Sequence, residues 1–129
     1  MSDPSHPTPG AILWRDLTVP DAEAVRAFYE AVVGWTSAPV DMGGYSDFNM
    51  IVPASGEVVA GICHARGANA GLPAQWLVYV SVEDVDASAA RCAALGGEVL
   101  SGPKAMGNGR LCVVRDPAGA VVALYQTVE

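Results

Sequence analysis

Histidine and cysteine are scarce in this chain: 129 residues hold two of the first and three of the second. Cys63, Cys92 and Cys112 are odd in number and show no C-x-x-C spacing. That argues against a disulfide framework or a zinc ribbon. Basic residues are also few, 7 Lys and Arg against 14 Asp and Glu, for a net charge of −7. The acids are scattered rather than in runs. A nucleic-acid surface needs a basic patch, so no nucleic-acid partner is expected. The acidic balance mildly favours neutral or cationic ligands, but keeping a cytoplasmic protein soluble is the simpler account of it. No apolar run reaches membrane-spanning length, so no membrane partner is expected. The opening MSDPSHPTPG lacks the basic and apolar regions of a signal peptide. Its three prolines suit a flexible arm over residues 1–10. The expected location is the cytoplasm.

Apolar side chains are abundant. Hydrophobic residues make up 51% of the chain and charged ones 16%, which suits one domain with a filled core. Within that domain the sequence nearly repeats itself at a constant offset of 63 residues. Val19-Pro20-Asp21 answers to Val82-Glu83-Asp84, and Val58-Val59-Ala60 to Val121-Val122-Ala123. Gly34, Gly44 and Gly56 answer to Gly97, Gly107 and Gly119. Two copies are too few for a solenoid. They read as two similar modules sharing one core, with any function in a site between them.

Each module reads as β-α-β-β-β. Residues 11–19 form the first strand. Thr18 and Asp21 give a T-x-x-D helix start, with Pro20 where a helix tolerates it. Val25, Phe28, Tyr29 and Val32 then make one apolar helical stripe, which Gly34 ends. Three strands follow near 35–40, 45–52 and 57–64. The second copy repeats the plan: a strand over 76–82, S-x-x-D from Ser81 to Asp84, and a stripe of Val85, Ser88, Ala89, Cys92 and Leu95. Gly96-Gly97 stops that helix, and strands follow near 98–101, 110–115 and 120–127. Asp116-Pro117-Ala118-Gly119 is a turn. Module one thus spans 11–64 and module two 74–127, with a Gly- and Ala-rich linker at 65–73. The expected class is α+β, two tandem βαβββ modules whose curved mixed sheets enclose a shared cavity. A single ferredoxin-like sheet is the competing architecture.

Paired βαβββ modules, Phe28-Tyr29 followed by V-x-G-W from Val32 to Trp35, and the late D-P-x-G from Asp116 to Gly119 together resemble the vicinal oxygen chelate superfamily. That group holds glyoxalase I, extradiol dioxygenases, and fosfomycin- and bleomycin-resistance proteins. The resemblance covers residues 11–126 and implies a homodimer. It also implies metal ligands on the first and last strands of each module. Laid onto this chain without gaps, those positions fall on Trp14, Ala60, Leu77 and Ala123. Indole and alkyl side chains offer no lone pair suited to a divalent ion, so neither a metal nor another cofactor is expected. The sequence resembles a metal-free branch.

Strand alternation puts Trp14 and Asp16 on one face, Leu77 and Tyr79 on another, and Tyr125 beside Ala123. If the family's ligand positions face inward, Trp14, Tyr79 and Tyr125 are aromatic walls and Asp16 is the anionic group. Asp47, Asn49, Met106 and Arg110 are weaker candidates, with a solvated acid the favoured reading of Asp47. Such a pocket suits a flat or amphipathic organic molecule. Filling of the core by the same aromatic residues is the equally weighted alternative for Trp14. Three functions follow. The first is metal-free binding of a small organic ligand. The second is acid–base catalysis with Asp16 as base and Tyr79 or Tyr125 as acid. The third is a lyase, isomerase or dioxygenase with a metal relocated to His64, Asp16 and Asp47. Cys63 and His64 adjoin in sequence, but neighbours on a strand point to opposite faces, which weakens a nucleophilic pair.

Overall fold

The computed structural model describes residues 8–127. Most of the N-terminal arm, including His6, lies outside the described residues. The elements run β1 (Ile12–Val19), α1 (Ala22–Val33), β2 (Thr36–Asp41), β3 (Ser46–Ile51) and β4 (Val58–His64). They continue with β5 (Trp76–Ser81), α2 (Val85–Ala94), β6 (Glu98–Met106), β7 (Gly109–Arg115) and β8 (Val121–Thr127). This is an α+β fold of tandem βαβββ modules, as the repeat predicts. The 65–73 stretch contains one short 3-10 turn, Gly67–Asn69.

Two compact units divide the chain. One is Arg15–Trp76, with strand order β2-β3-β4-β1. The other joins the described residues up to Trp14 to those from Leu77 onward, with strand order β5-β8-β7-β6. Gly10 donates its N–H to the Ser81 carbonyl at 2.7 Å, and Ser81 returns one to Ala11 at 2.8 Å. Those bonds tie the early residues into the later unit.

Both units obey one pairing rule. The first strand runs parallel to the fourth, and the remaining neighbours are antiparallel. A parallel pair needs a crossover between its strands, and each helix lies in that connection. Asp16 pairs with Gly61 and Thr18 with Cys63; Tyr79 pairs with Ala123 and Ser81 with Tyr125. Asp16 and Tyr79 keep the 63-residue offset, but their partners Gly61 and Ala123 differ by 62. An extra residue is visible on the β3–β4 ladder. Met50 pairs with Ala60 and Ile51 with Val58, which leaves Val59 as a bulge. A one-residue shift turns side chains to the other face. Ala60 therefore packs with Leu17, Phe48, Met50 and Ile62 in the core beside α1. It does not occupy the position equivalent to Ala123, as the gapless repeat placed it.

The helix starts are also displaced. Asp21 is itself the N-cap of α1, accepting from the Ala24 N–H at 3.1 Å. Asp84 caps α2, accepting from Asp86 and Ala87 at 3.1 Å each. Thr18 and Ser81 are buried strand residues rather than caps. Gly34 ends α1 in the left-handed conformation at φ 89°, as predicted. The buried stripe of α1 is rotated from the expected one. Ala22 is fully buried, and Val25 and Tyr29 pack on the core. Phe28 and Val32 remain 56% and 64% exposed. On the shorter α2, Val85 and Ala89 are buried as expected, whereas Leu95 is 76% exposed.

In the Arg15–Trp76 unit, Tyr29, Trp35 and Trp76 make mutual ring contacts at 5.3–6.0 Å between centroids. The Trp76 indole N–H donates to the Tyr29 hydroxyl at 3.0 Å, which satisfies the one polar group of that ring. In the other unit Val85, Ala89, Cys112 and Val114 form the core, with Val122 and Leu124 packed against it.

Loss of the α2 cap has a defined cost. Asp84→Ala is expected to lower unfolding stability by about 1 kcal/mol, while Asp84→Asn, which keeps an acceptor, costs under about 0.5 kcal/mol. Urea unfolding followed by circular dichroism measures both.

Candidate functional site

Tyr125 lies on β8 on the face opposite Val122 and Leu124, which pack on the core beside α2. Its hydroxyl donates to the Met106 carbonyl at 3.0 Å, drawing the ring across the end of the β6–β7 hairpin. Gly109 makes that position possible. A Cβ there would stand 2.6 Å from the Tyr125 ring and would also meet the Gln126 carbonyl. Beneath this lip a cavity of about 340 Å³ is lined by Leu13, Trp14, Tyr79, Met106, Gly107 and Tyr125. Four of the residues singled out in the sequence, Trp14, Tyr79, Met106 and Tyr125, thus meet at one apolar cavity. Leu13 and Gly107 are the lining residues that strand alternation did not single out; Gly107, at φ 58°, was marked only as the repeat counterpart of Gly44.

The other candidates lie elsewhere. Leu77 is buried on β5, on the same strand face as Tyr79, but is not a lining residue of this cavity. Asn49 is half-buried on β3, paired with Ala38 and Gly61. Arg110 pairs with Gln126, so alternation places both on the face opposite Tyr125. There Arg110 meets Asp86 of α2 at 2.9 Å, and the Gln126 side chain accepts the Val85 N–H at 2.8 Å. Arg110 therefore serves the helix face rather than the cavity.

Asp16 and Asp47 belong to a separate cluster in the Arg15–Trp76 unit. Both are buried, at 8% and 7% exposure, which corrects the solvated reading of Asp47. Asp47 escapes solvent because its Oδ1 is fully engaged. It accepts the His64 backbone N–H at 2.9 Å and the His64 ring Nδ1 at 3.2 Å. The Cys63 thiol also hydrogen-bonds Asp47. One carboxylate thus reaches both Cys63 and His64, which their opposed strand directions alone would not join. Burial foremost, then the charges of Asp16 and Asp47 and the hydrogen bond to Asp47, push the Cys63 thiol up to about 12. A thiol held protonated is a poor nucleophile.

The four positions that the family resemblance assigns to a metal do not fit one. Trp14, Leu77 and Ala123 carry no donor group suited to a divalent ion, and neither Ala60 nor its structural replacement Gly61 supplies one. Among the described residues no three His, Cys, Asp or Glu side chains are grouped to hold an ion. Among them, too, no helix is long and apolar enough to cross a membrane.

Cys63 gives a direct check on this electrostatic picture. Site-resolved alkylation at pH 8 is expected to label it far more slowly in the folded protein than in urea. Because its folded value is raised from 9.0 to about 12, the associated stability is intact below pH 9 and is lost as pH rises toward 12.

Residues 11–124 match the model of the Glyoxalase/Bleomycin resistance protein/Dioxygenase superfamily. Among curated proteins, the anthracycline biosynthesis protein DnrV of Streptomyces peucetius is 35% identical, over 92% of this chain and 47% of its own length. A putative glyoxylase, CFP32 of Mycobacterium bovis, is 34% identical over 91% of this chain and 44% of its own. The chain therefore spans about half the length of these relatives. Among solved structures, methylmalonyl-CoA epimerase from Mycobacterium tuberculosis superposes with a TM-score of 0.53 at 18% identity, covering 93% of this chain and 89% of that one. At that identity the likeness is one of fold. With the family match spanning both modules, the chain belongs to the Glyoxalase/Bleomycin resistance protein/Dioxygenase superfamily.

Proposed function

We propose that this protein binds a small, flat or amphipathic organic molecule in the cavity beneath Tyr125, without a metal. The observation that carries the reading is the lining itself: three aromatic side chains, Trp14, Tyr79 and Tyr125, with Leu13, Met106 and Gly107 around a space of about 340 Å³. That size falls within the range of small-molecule sites. Ring faces supply apolar contact at low entropic cost, and Met106 adapts to the ligand's outline. The Tyr125 hydroxyl donates its hydrogen bond to the Met106 carbonyl, so its lone pairs are left to accept from a ligand. A relative that bears the name of anthracycline biosynthesis is in keeping with a flat organic ligand.

Acid–base catalysis is the second reading. Tyr79 and Tyr125 line the cavity, but Asp16, the base it needs, is not among the lining residues and acts on Cys63 instead. Binding without turnover is therefore favoured. A homodimer in the cytoplasm completes the proposal. Family membership supports the dimer, as do Phe28, Val32 and Val33, which α1 leaves exposed. Three free thiols suit a reducing compartment.

Titration with planar aromatic compounds, read by tryptophan fluorescence and calorimetry, tests the site. A ligand that binds here is expected to lose at least about tenfold in affinity in Trp14→Ala, since the lost ring contacts are worth about 1.5 kcal/mol or more. Gly109→Ala, which displaces Tyr125, is expected to weaken it as well. Equal affinity in both variants would place the ligand elsewhere. Metal analysis of protein purified without chelators accompanies the titration; near-stoichiometric metal would overturn the metal-free reading.

A further inference from the structure

A second cavity, of about 380 Å³, lies wholly within the Arg15–Trp76 unit and is lined by Glu23, Pro39, Tyr45, Ser46, Phe48 and His64. We propose that it is a separate binding site for a small organic amine, with the Nε2 of His64 and the Glu23 carboxylate as its acceptors. The argument starts from Asp47, which stands outside the lining. An ionised carboxylate only accepts hydrogen bonds, so the His64 ring nitrogen 3.2 Å away must carry its hydrogen on Nδ1. The same Oδ1 holds the His64 backbone N–H at 2.9 Å, so ring and strand are fixed to one atom. In the neutral ring the lone pair then belongs to Nε2. No described residue takes a hydrogen bond from it or gives one to it. Asp47 is a positioning residue: it selects the tautomer that makes His64 an acceptor.

The other walls extend the same chemistry. Glu23, in the first turn of α1, adds a carboxylate and has no ion-pair partner among the described residues. Ser46 adds a hydroxyl, which can also accept. Acceptors therefore outnumber donors around this space, and a ligand rich in N–H groups fits. A cation is favoured over a neutral donor because the one charged side chain in the lining is the Glu23 carboxylate. Two guanidinium groups stand against the lining rings. Arg26 pairs with Glu30 at 2.9 Å and lies 4.9 Å from the Phe48 ring centroid. Arg66 stacks on Tyr45 at 3.9 Å. Pro39 and Phe48 provide an apolar wall for a short hydrocarbon stem. The occupant with this pattern is a primary ammonium group on a small apolar body.

Nitrogen-resolved NMR of histidine-labelled protein tests the site directly. In a His6→Gln variant His64 is the one remaining imidazole, because the chain has two histidines. At pH 8 its nitrogens are expected to show the Nδ1–H tautomer. n-Butylamine is expected to shift Nε2 saturably, and butyrate is expected to leave it unmoved. Glu23→Gln should weaken the amine response several-fold with the tautomer unchanged. Asp47→Asn should move the tautomer toward Nε2–H and abolish the response, with a backbone spectrum confirming that the variant is folded. Trp14→Ala should leave the response intact, which separates this site from the aromatic cavity. An Nε2–H tautomer in the parent protein, a shift with butyrate equal to that with amine, or an amine shift that never saturates would each overturn the proposal.

Discussion

Parallel pairing of the first strand with the fourth is the constraint on which the rest of each module depends. It requires a helical crossover, and the helix claims one face of the strands for the core. Whatever stands at the alternate positions is left to face the other way. In one unit those positions hold Asp16, Thr18, Asp47 and Cys63; their counterparts in the other are Tyr79, Ser81, Leu111 and Tyr125. Where the first unit has the carboxylates Asp16 and Asp47, the second has Tyr79 and Leu111. Buried carboxylates must find donors, and Asp47 finds them in His64 and Cys63. Aromatic rings need only space and contact, so the second set can border a cavity.

Much of this order was legible in the sequence, because strand alternation and capping residues act locally. Seven strands, the two helices and the Asp116 turn fall within about a residue of where the pattern puts them, whereas β6 runs on to Met106, five residues past its expected end at 101. Trp14, Tyr79 and Tyr125 were singled out by alternation and Met106 as a weaker flanking candidate, and the fold brings them to one cavity. The failures come from information that a linear pattern does not hold. Phe28 and Val32 match a helical stripe as well as Ala22, Val25 and Tyr29 do, and only the docked helix angle decides between them. Asp47 reads as a solvated acid until β4 brings His64 and Cys63 beside it from well along the chain. Arg110 has no alternation partner of clear identity in its own strand; its face is set by its pairing with Gln126.

Family membership and cavity chemistry support different parts of the functional reading. The match over both modules establishes the superfamily, and the superposition on methylmalonyl-CoA epimerase establishes the fold. Neither specifies a reaction, since one fold hosts many. What narrows the reading is the absence of donor side chains at the positions where metal-using relatives are expected to hold an ion, together with the aromatic lining around Tyr125. The polar cluster around Asp47 adds a second kind of environment, in which a histidine is oriented without any nucleophile being activated.

The bulge at Val59 means that the two halves of this chain have ceased to be interchangeable parts. A graft of β8 onto β4, guided by sequence likeness, would be one residue out of step. Leu124 would land at Gly61, and Tyr125 would land at Ile62, which is fully buried beside α1. The ring that borders a cavity in its own half would be driven into the core of the other. The change of step has therefore fixed the direction in which each half can diverge: its fourth strand can change in place, but it can no longer be copied residue for residue from its twin.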